Sequence, residues 1–419
     1  MASNRLWLVF LCATSSAGYL CRVNVSIAAP LFMTEFNLSE VQTGRWFSAF
    51  LAGYALCQAF GGLVADRWGP RKTLRLSSLL WVLLTVAFSF LGFSWWGGKG
   101  QVALILGMVL RFLLGLAQAP LFPTAAAAVA LWIPAERRAR SNAIVLAGVS
   151  IGSALAPLLV SGVMTQWGWR ISLIVSVLPA AMVSFLWWRI RETPAVLPEC
   201  SEYNPTLSRR SRQDNRPEEG ALRSISFRLL CGSYTLQGYV GYIFVFWFYL
   251  YLVRVRHFNL LEGALFSSLP WVLSMVSIPL GGWISDRLSV GRWGPSKGKR
   301  IVPIFGLSGA GVLLVFGANT NSPYLAAAYL SLSTALILCV EGPFWAAATE
   351  IAGRRHAGVG GGIMNTGCNL GGMLSPIATP WLAERIGWEK ALYVAAALSL
   401  LAALFWLGIR LPEQRATQY

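Results

Sequence analysis

Two arginines, Arg22 and Arg111, interrupt otherwise apolar runs of this chain, and one carboxylate, Glu341, lies deep in another. A guanidinium inside a lipid-spanning segment is expensive and is kept where it faces a cavity or a partner. Its planar fork suits bidentate binding of a carboxylate or phosphate; the plainer role is an arginine held by backbone carbonyls near a helix end. Tyr19 precedes Arg22 by three residues, which puts both on one helical face. Glu341 leaves three readings open: a proton-coupling carboxylate, a fixed counter-ion for Arg22 or Arg111, or a hydrogen-bonded structural residue. The arginines contribute +2, and an ionised Glu341 brings the interior to +1, so it still favours an anion. Other chemistries lack their residues. No Gly-x-x-x-x-Gly-Lys-[Ser/Thr] loop argues for nucleotide use. Six of the seven cysteines lie in apolar runs without disulfide or zinc spacing, and His257 and His356 fall at helix ends or in loops. No cofactor, metal or catalytic residue is expected, and the chain is read as a non-enzyme.

The elements that must hold these residues are membrane helices. The 419 residues are 56% hydrophobic and 12% charged, about half the charge of soluble domains. Twelve apolar runs are long enough to cross a bilayer: about 6–32, 44–65, 73–96, 101–131, 141–165, 169–190, 225–253, 262–285, 301–320, 323–350, 357–384 and 389–410. The first stays apolar too far for a signal peptide and is read as a span. The +17 net charge is not a nucleic-acid patch. Twenty-five of 34 Lys and Arg residues fall in alternate loops that the positive-inside rule assigns to the cytoplasm, with both termini, and seven fall outside. Trp95, Trp96, Trp167, Trp169, Trp187 and Trp188 are expected in interfacial belts.

The runs repeat. Gly61-Gly62-x-x-x-Asp66-Arg67 returns as Gly281-Gly282-x-x-x-Asp286-Arg287, each followed by a basic cluster. Gly148, Gly152 and Pro157 match Gly367, Gly371 and Pro376, and Gly168-Trp169 matches Gly387-Trp388. Gln118-Ala-Pro in the fourth run matches Glu341-Gly-Pro in the tenth. A parallel repeat of this kind places a substrate site between halves. The expected division is a bundle over 1–190, a cytoplasmic linker over 191–224, largely flexible, and a second bundle over 225–419. The glycine pairs stand one turn apart and are expected to let helices approach closely.

With these residues in view, the chain resembles the major facilitator superfamily, whose signature between the second and third helices matches Gly62 to Lys72. Within it, the segments Tyr19–Pro30, Arg111–Pro123, and Trp247–Leu252 with Ser267–Trp271 resemble the anion:cation symporters. The resemblance implies two pseudo-symmetric six-helix bundles. It implies that Arg22 binds the anion, that Arg111 serves binding and coupling, and that Tyr19, Tyr54 and Asn369 line the pocket. Gln237, Tyr239 and Tyr242 are candidates for its second half. Asp66, Arg67, Arg71, Asp286 and Arg287 are expected to act in gating, or to be charges that set topology. The second signature is degraded, with Ser289 in place of Gly69.

Two departures stand out. The family usually has Asp before the first-helix arginine, where this chain has Cys21, and often Glu where it has Gln118. Those carboxylates take up the driving proton in the family. A thiol titrates near 8.5 and an amide not at all. The expected function is secondary transport of a small organic anion, a sugar acid or other carboxylate, by alternating access, with proton or sodium as coupling ion. The alternatives are an uncoupled anion uniporter or exchanger, proton-driven efflux of amphipathic solutes, and a membrane sensor. A monomer in the cell's inner membrane is expected.

Overall fold

The computed structural model describes residues 2–93, 100–132, 138–189, 221–290, 294–353 and 357–411. Among them there is helix and no strand. In chain order the helices are α1 (Ala2–Phe36), α2 (Glu40–Trp68), α3 (Pro70–Ser89) and α4 (Gln101–Gln118, continuing as Leu121–Trp132). The helix from Arg138 to Ser176 folds back at Gly168, giving α5 over 138–167 and α6 from 169, which resumes as Leu178–Arg189. The second half has α7 (Ile225–Phe246, then Phe248–Arg254), α8 (Leu260–Val290), α9 (Gly294–Asn319), α10 (Pro323–Cys339, then Glu341–Ala352), α11 (Ala357–Ile386) and α12 (Trp388–Gly408). Nine described stretches are long and apolar enough to cross a membrane. One of them, Ser141–Arg189, makes two crossings, and α2 and α11 complete the twelve.

The helices follow from local chemistry. Pro70 begins α3 and Pro323 begins the first part of α10, at helix starts where the missing N–H costs nothing. Ser224 caps α7 by accepting from the Phe227 amide at 3.1 Å. Gly168 and Gly387, with φ 78° and 88°, turn the chain at matching points before α6 and α12, a backbone region glycine enters without strain. The first signature turns at Gly69, also at positive φ, whereas the second has Ser289 and α8 simply runs on to Val290.

Packing repeats with the sequence. A Cβ on Gly148 or Gly152 would run into the Cys12 or Ser16 carbonyl of α1, and one on Gly371 into the Thr235 carbonyl of α7. These glycines set α5 on α1 and α11 on α7 at backbone contact. Between halves, α2 packs on α11 and α5 on α8. Large apolar side chains such as Leu83, Met182, Val276 and Phe305 point outward, an apolar coat of the kind lipid covers.

The tryptophan expectation holds only in part. Trp167 and Trp188 are exposed, but Trp169 and Trp187 are buried. Their indole N–H groups donate inward, to Glu35 at 2.8 Å and Thr14 at 2.9 Å, so they serve as core residues. Trp95, Trp96, most of the 191–224 stretch and His356 lie outside the described residues.

We call the end bearing the N terminus and the signature the basic face, and the other the far face. The two halves are sealed toward the far face. A Cβ on Gly44 would strike the Pro376 carbonyl. Ser48 donates to the Met373 carbonyl at 2.7 Å, Ser161 to the Leu260 carbonyl at 2.7 Å, and Ser268 to the Ala154 carbonyl at 2.7 Å. Phe47 of α2 stacks on Phe246 of α7 at 4.8 Å, and Tyr242 continues the stack. Nearer the middle, Ser150 and Ser274 share a hydrogen bond at 2.9 Å, and Gln58 of α2 meets α11. Hydrogen bonds between described residues of the two halves stop at Gln58.

Candidate functional site

Arg22 points from the middle of α1 into the first bundle and is 2% exposed. Its guanidinium is held on three sides. Nε donates to Gln118 Oε1 of α4 at 3.4 Å, and Nη1 to the Tyr19 hydroxyl at 3.1 Å. The rings of Tyr19, Tyr54 and Phe50 lie 4.4, 4.4 and 5.0 Å from its centre, positions where an aromatic face attracts a cation. Nη2 is buried and has no partner.

Arg111 enters the same cluster from α4. It donates through Nη2 to the Arg22 carbonyl at 3.3 Å and lies 4.8 Å from the Phe50 ring. Its Nε and Nη1 are buried without partners. Cys21, fully buried, and Gln118 flank the pair. Gln118 also donates to the Gly18 carbonyl at 3.0 Å, pinning α4 to α1. The ion pairs between described residues are Arg170–Glu35 and Lys299–Glu350, so neither buried arginine is matched by a carboxylate. Two guanidiniums with unused donors and no counter-ion form a site that an anion would complete, because an unpaired buried charge costs several kcal/mol.

The second half supplies a different group. Glu341 opens the second part of α10 beside the break at Val340. Its Oε2 accepts from the Tyr234 hydroxyl at 2.7 Å and its Oε1 from Gln237 Nε2 at 2.9 Å, both from α7. Gln118 joins α4 to α1, and Glu341 joins α10 to α7, so the repeat reaches down to hydrogen bonds. Of the readings open for Glu341, the fixed counter-ion is not what the structure contains. Its partners are a phenol, an amide and, one turn on, the Trp345 indole.

The remaining candidates separate. Tyr242 packs against Gly372 and stacks on Phe246 at 5.8 Å. Tyr239 instead hydrogen-bonds Thr379 at 3.0 Å in the α7–α11 contact. Asn369 donates to Gln58 Oε1 at 3.1 Å, and Asn365, one turn away, donates to the same oxygen at 3.0 Å. Gln58, Asn365, Tyr234 and Phe50 are the members that sequence reasoning missed. Spacing holds a signal for three of them. Gln58 follows Tyr54 by four residues, Asn365 precedes Asn369 by four, and Tyr234 precedes Gln237 by three, each on a shared helical face.

At the basic face, Arg71 donates to the Trp187 and Trp188 carbonyls at 3.0 and 2.8 Å, tying α3 to the end of α6 within one bundle. Arg67, Asp286 and Arg287 are exposed, with Arg287 over the Trp283 ring at 5.5 Å. Asp66 lies in the last turn of α2, and its side chain lies outside those described. Lys299 and Glu350 join α9 to α10 nearby.

The sequence profile of the Major Facilitator Superfamily matches residues 6–376. The chain belongs to the Major Facilitator Superfamily. It is 31% identical to the probable sulfoacetate transporter of Cupriavidus necator, over 97% of this chain and 95% of that one. It is 29% identical to the D-galactonate transporter of Escherichia coli, over 96% and 94%, and 25% identical to the hexuronate transporter of Bacillus subtilis, over 95% and 92%. These relatives accord with the anion:cation symporter resemblance. Among solved structures, the D-xylose–proton symporter superposes with a TM-score of 0.77 at 16% identity, over 99% of this chain and 100% of that one. A bacterial homologue of the lysosomal transporter Spinster, in an inward-facing and occupied conformation, gives 0.78 at 17% identity, over 97% and 98%. Both likenesses concern the superfamily fold, whose twelve helices in two six-helix bundles this chain has.

Proposed function

We propose that this protein carries small organic anions, sugar acids and related carboxylates or sulfonates, across a membrane by alternating access. The observation that carries this reading is the pair Arg22 and Arg111, buried together with three unpartnered nitrogens and no carboxylate beside them. A neutral sugar or a cation would leave that charge unanswered. An anion would engage Nη2 of Arg22 and the free donors of Arg111, with Tyr19, Tyr54 and Tyr242 around it. The named cargoes of the relatives, sulfoacetate, D-galactonate and hexuronate, are all acids.

In this reading the far-face seal is one of two alternate closures. The other forms at the basic face, where Asp66, Arg67, Arg71, Asp286 and Arg287 sit at helix ends and exchange partners as the bundles rock. The basic face is cytoplasmic, with both termini, in the cell's inner membrane. The bundles over 1–190 and 225–419 move about the 191–224 linker, and a monomer suffices because the site lies within one chain.

The test is counterflow in proteoliposomes with sulfoacetate, D-galactonate, a hexuronate and D-glucarate as a panel. Exchange of at least one acid, competed by other acids and not by xylose or an amphipathic cation, is expected. Binding without counterflow would make the protein a sensor, and competition only by cations or neutral sugars would overturn anion transport.

A further inference from the structure

The carboxylates that would take up a proton beside Arg22 are absent from this chain, with Cys21 and Gln118 in their places. We propose that the proton is bound in the other half, by Glu341 in the cage made by Tyr234 and Gln237 at the break in α10. This inference rests on the anion-transport reading and adds its coupling ion.

The cage accommodates both protonation states. When Glu341 is ionised, Tyr234 and the Gln237 amide nitrogen donate one hydrogen bond to each oxygen, at 2.7 and 2.9 Å. The position begins a helical segment, where the free N–H groups favour a negative charge. The carbonyl oxygen of Gln237 is buried and has no partner. A half-turn of that amide exchanges its oxygen and nitrogen. The oxygen would then stand where the nitrogen is, 2.9 Å from Glu341 Oε1, at the loss of the longer 3.4 Å bond that the nitrogen makes to the Ile337 carbonyl. Two acceptor oxygens at that distance need a proton between them, which the protonated carboxyl supplies. An arginine or lysine in place of Gln237 would have locked the ionised form. An amide, which both donates and accepts, does not.

No ion pair among the described residues involves Glu341. Facing it are the Tyr234 phenol on α7 and the Trp345 indole one turn on along α10, with the Cys368 thiol of α11 and Tyr19 of α1 nearby. Lys299 of α9 is engaged by Glu350, and Asp286 and Arg287 of α8 are exposed at its basic end. Tyr19 is also the acceptor for Arg22 Nη1, so one phenol lies between the proton cage and the anion cluster.

The cage is also placed to act on the helices. A Cβ on Gly281 of α8 would run into the Cys339 carbonyl just before the α10 break, and Gly282 lies against Gly342 just after it. The second Gly-Gly-x-x-x-Asp-Arg motif therefore packs its glycines on the hinge that carries Glu341. Protonation rearranges the α7–α10 bonds at the point where α8 has no side chain to absorb the change.

The experiment loads liposomes with a pH-sensitive dye and adds whichever panel acid gives counterflow. The readout is protons taken up per anion carried, so a change in rate alone does not register. The wild type should take up roughly one proton per anion, since one carboxylate binds one. Glu341→Gln and Gln237→Lys should each lower the ratio at least tenfold, the first by removing the proton acceptor and the second by pinning it ionised. A ratio near zero in the wild type, beside robust counterflow, overturns the proton site and leaves anion transport standing. So does a ratio unchanged in Glu341→Gln. Infrared difference spectra of the purified protein across a pH titration supply an arm independent of transport. A protonated-carboxyl C=O band that vanishes in Glu341→Gln supports the site, and one that persists there assigns the proton elsewhere.

Discussion

Replacing Arg22 tests the site most directly, and its geometry sets the size of the effect. Two of the three guanidinium nitrogens are committed, Nε to Gln118 and Nη1 to Tyr19, which leaves Nη2 for the substrate. Arg22→Lys keeps a charge but loses that directed donor. A charge-assisted hydrogen bond contributes about 1.5–3 kcal/mol, so affinity should fall roughly ten- to a hundredfold, at about 1.4 kcal/mol per tenfold. Arg22→Met strands the anion's charge in the site. That costs about 2–5 kcal/mol, or roughly 30- to 4,000-fold. The fold should survive Arg22→Met. Gln118 Oε1 loses its donor, at about 1–3 kcal/mol, but an unpaired buried charge is removed, a gain of comparable size. The assay is half-saturation for counterflow with a panel acid, paired with the shift in melting temperature that the acid produces. Arg22→Met binding within threefold of the wild type, in protein that melts normally, would show that the anion binds elsewhere.

Other outcomes follow from neighbouring contacts. Gln118→Glu places a carboxylate where the amide oxygen now stands, 3.4 Å from Arg22 Nε. It should compete with the substrate, so anion affinity falls at high pH and recovers as the new carboxyl is protonated; a flat pH profile would refute this. Gly371→Ala drives a Cβ into the Thr235 carbonyl and should lower the melting temperature by several degrees, while Gly162→Ala, with open space around it, should not lower it. Gln58→Leu removes the one oxygen that both Asn365 and Asn369 use. It should loosen the α2–α11 contact, read as faster labelling of a cysteine placed at Ser48 beside the far-face seal.

Much of the fold was legible because membrane helices announce themselves by length and because the repeat is strong at glycines. Gly148, Gly152 and Gly371 could be paired by spacing, and the structure puts each at a backbone contact. Arg22, Tyr19 and Gln118 were legible as expensive or family-matched groups, and they meet in one cluster. What spacing along one helix does not contain is the partner on another. Glu341 stood out as a costly carboxylate with Arg22 or Arg111 as candidate counter-ions, but its partners Tyr234 and Gln237 became visible only once α7 was seen against α10. Gln58 and Asn365 were missed because their pairing joins residues 307 apart. Trp169 and Trp187 were misassigned because an indole near a span end looks alike whether it faces lipid or the Glu35 and Thr14 that bind it.

The far-face seal has a kinetic consequence. Its inner contacts are hydroxyls on carbonyls, stacked rings and glycine against backbone; charges enter at its rim, where Glu40 of α2 lies beside Arg254, Glu384 and Trp388 of the second half and Arg254 reaches the Pro30 carbonyl at 3.5 Å. Neutral contacts of this kind are little screened by salt, so ionic strength reaches this seal through the rim charges alone, unlike a door built on charge clusters near a surface. The two doors of the transporter should therefore answer unequally to salt. Ionic strength would change how long the basic door stays shut more than it changes the far door. In a salt series, turnover that follows ionic strength strongly points to the basic door as limiting, and turnover that barely moves points to the far door.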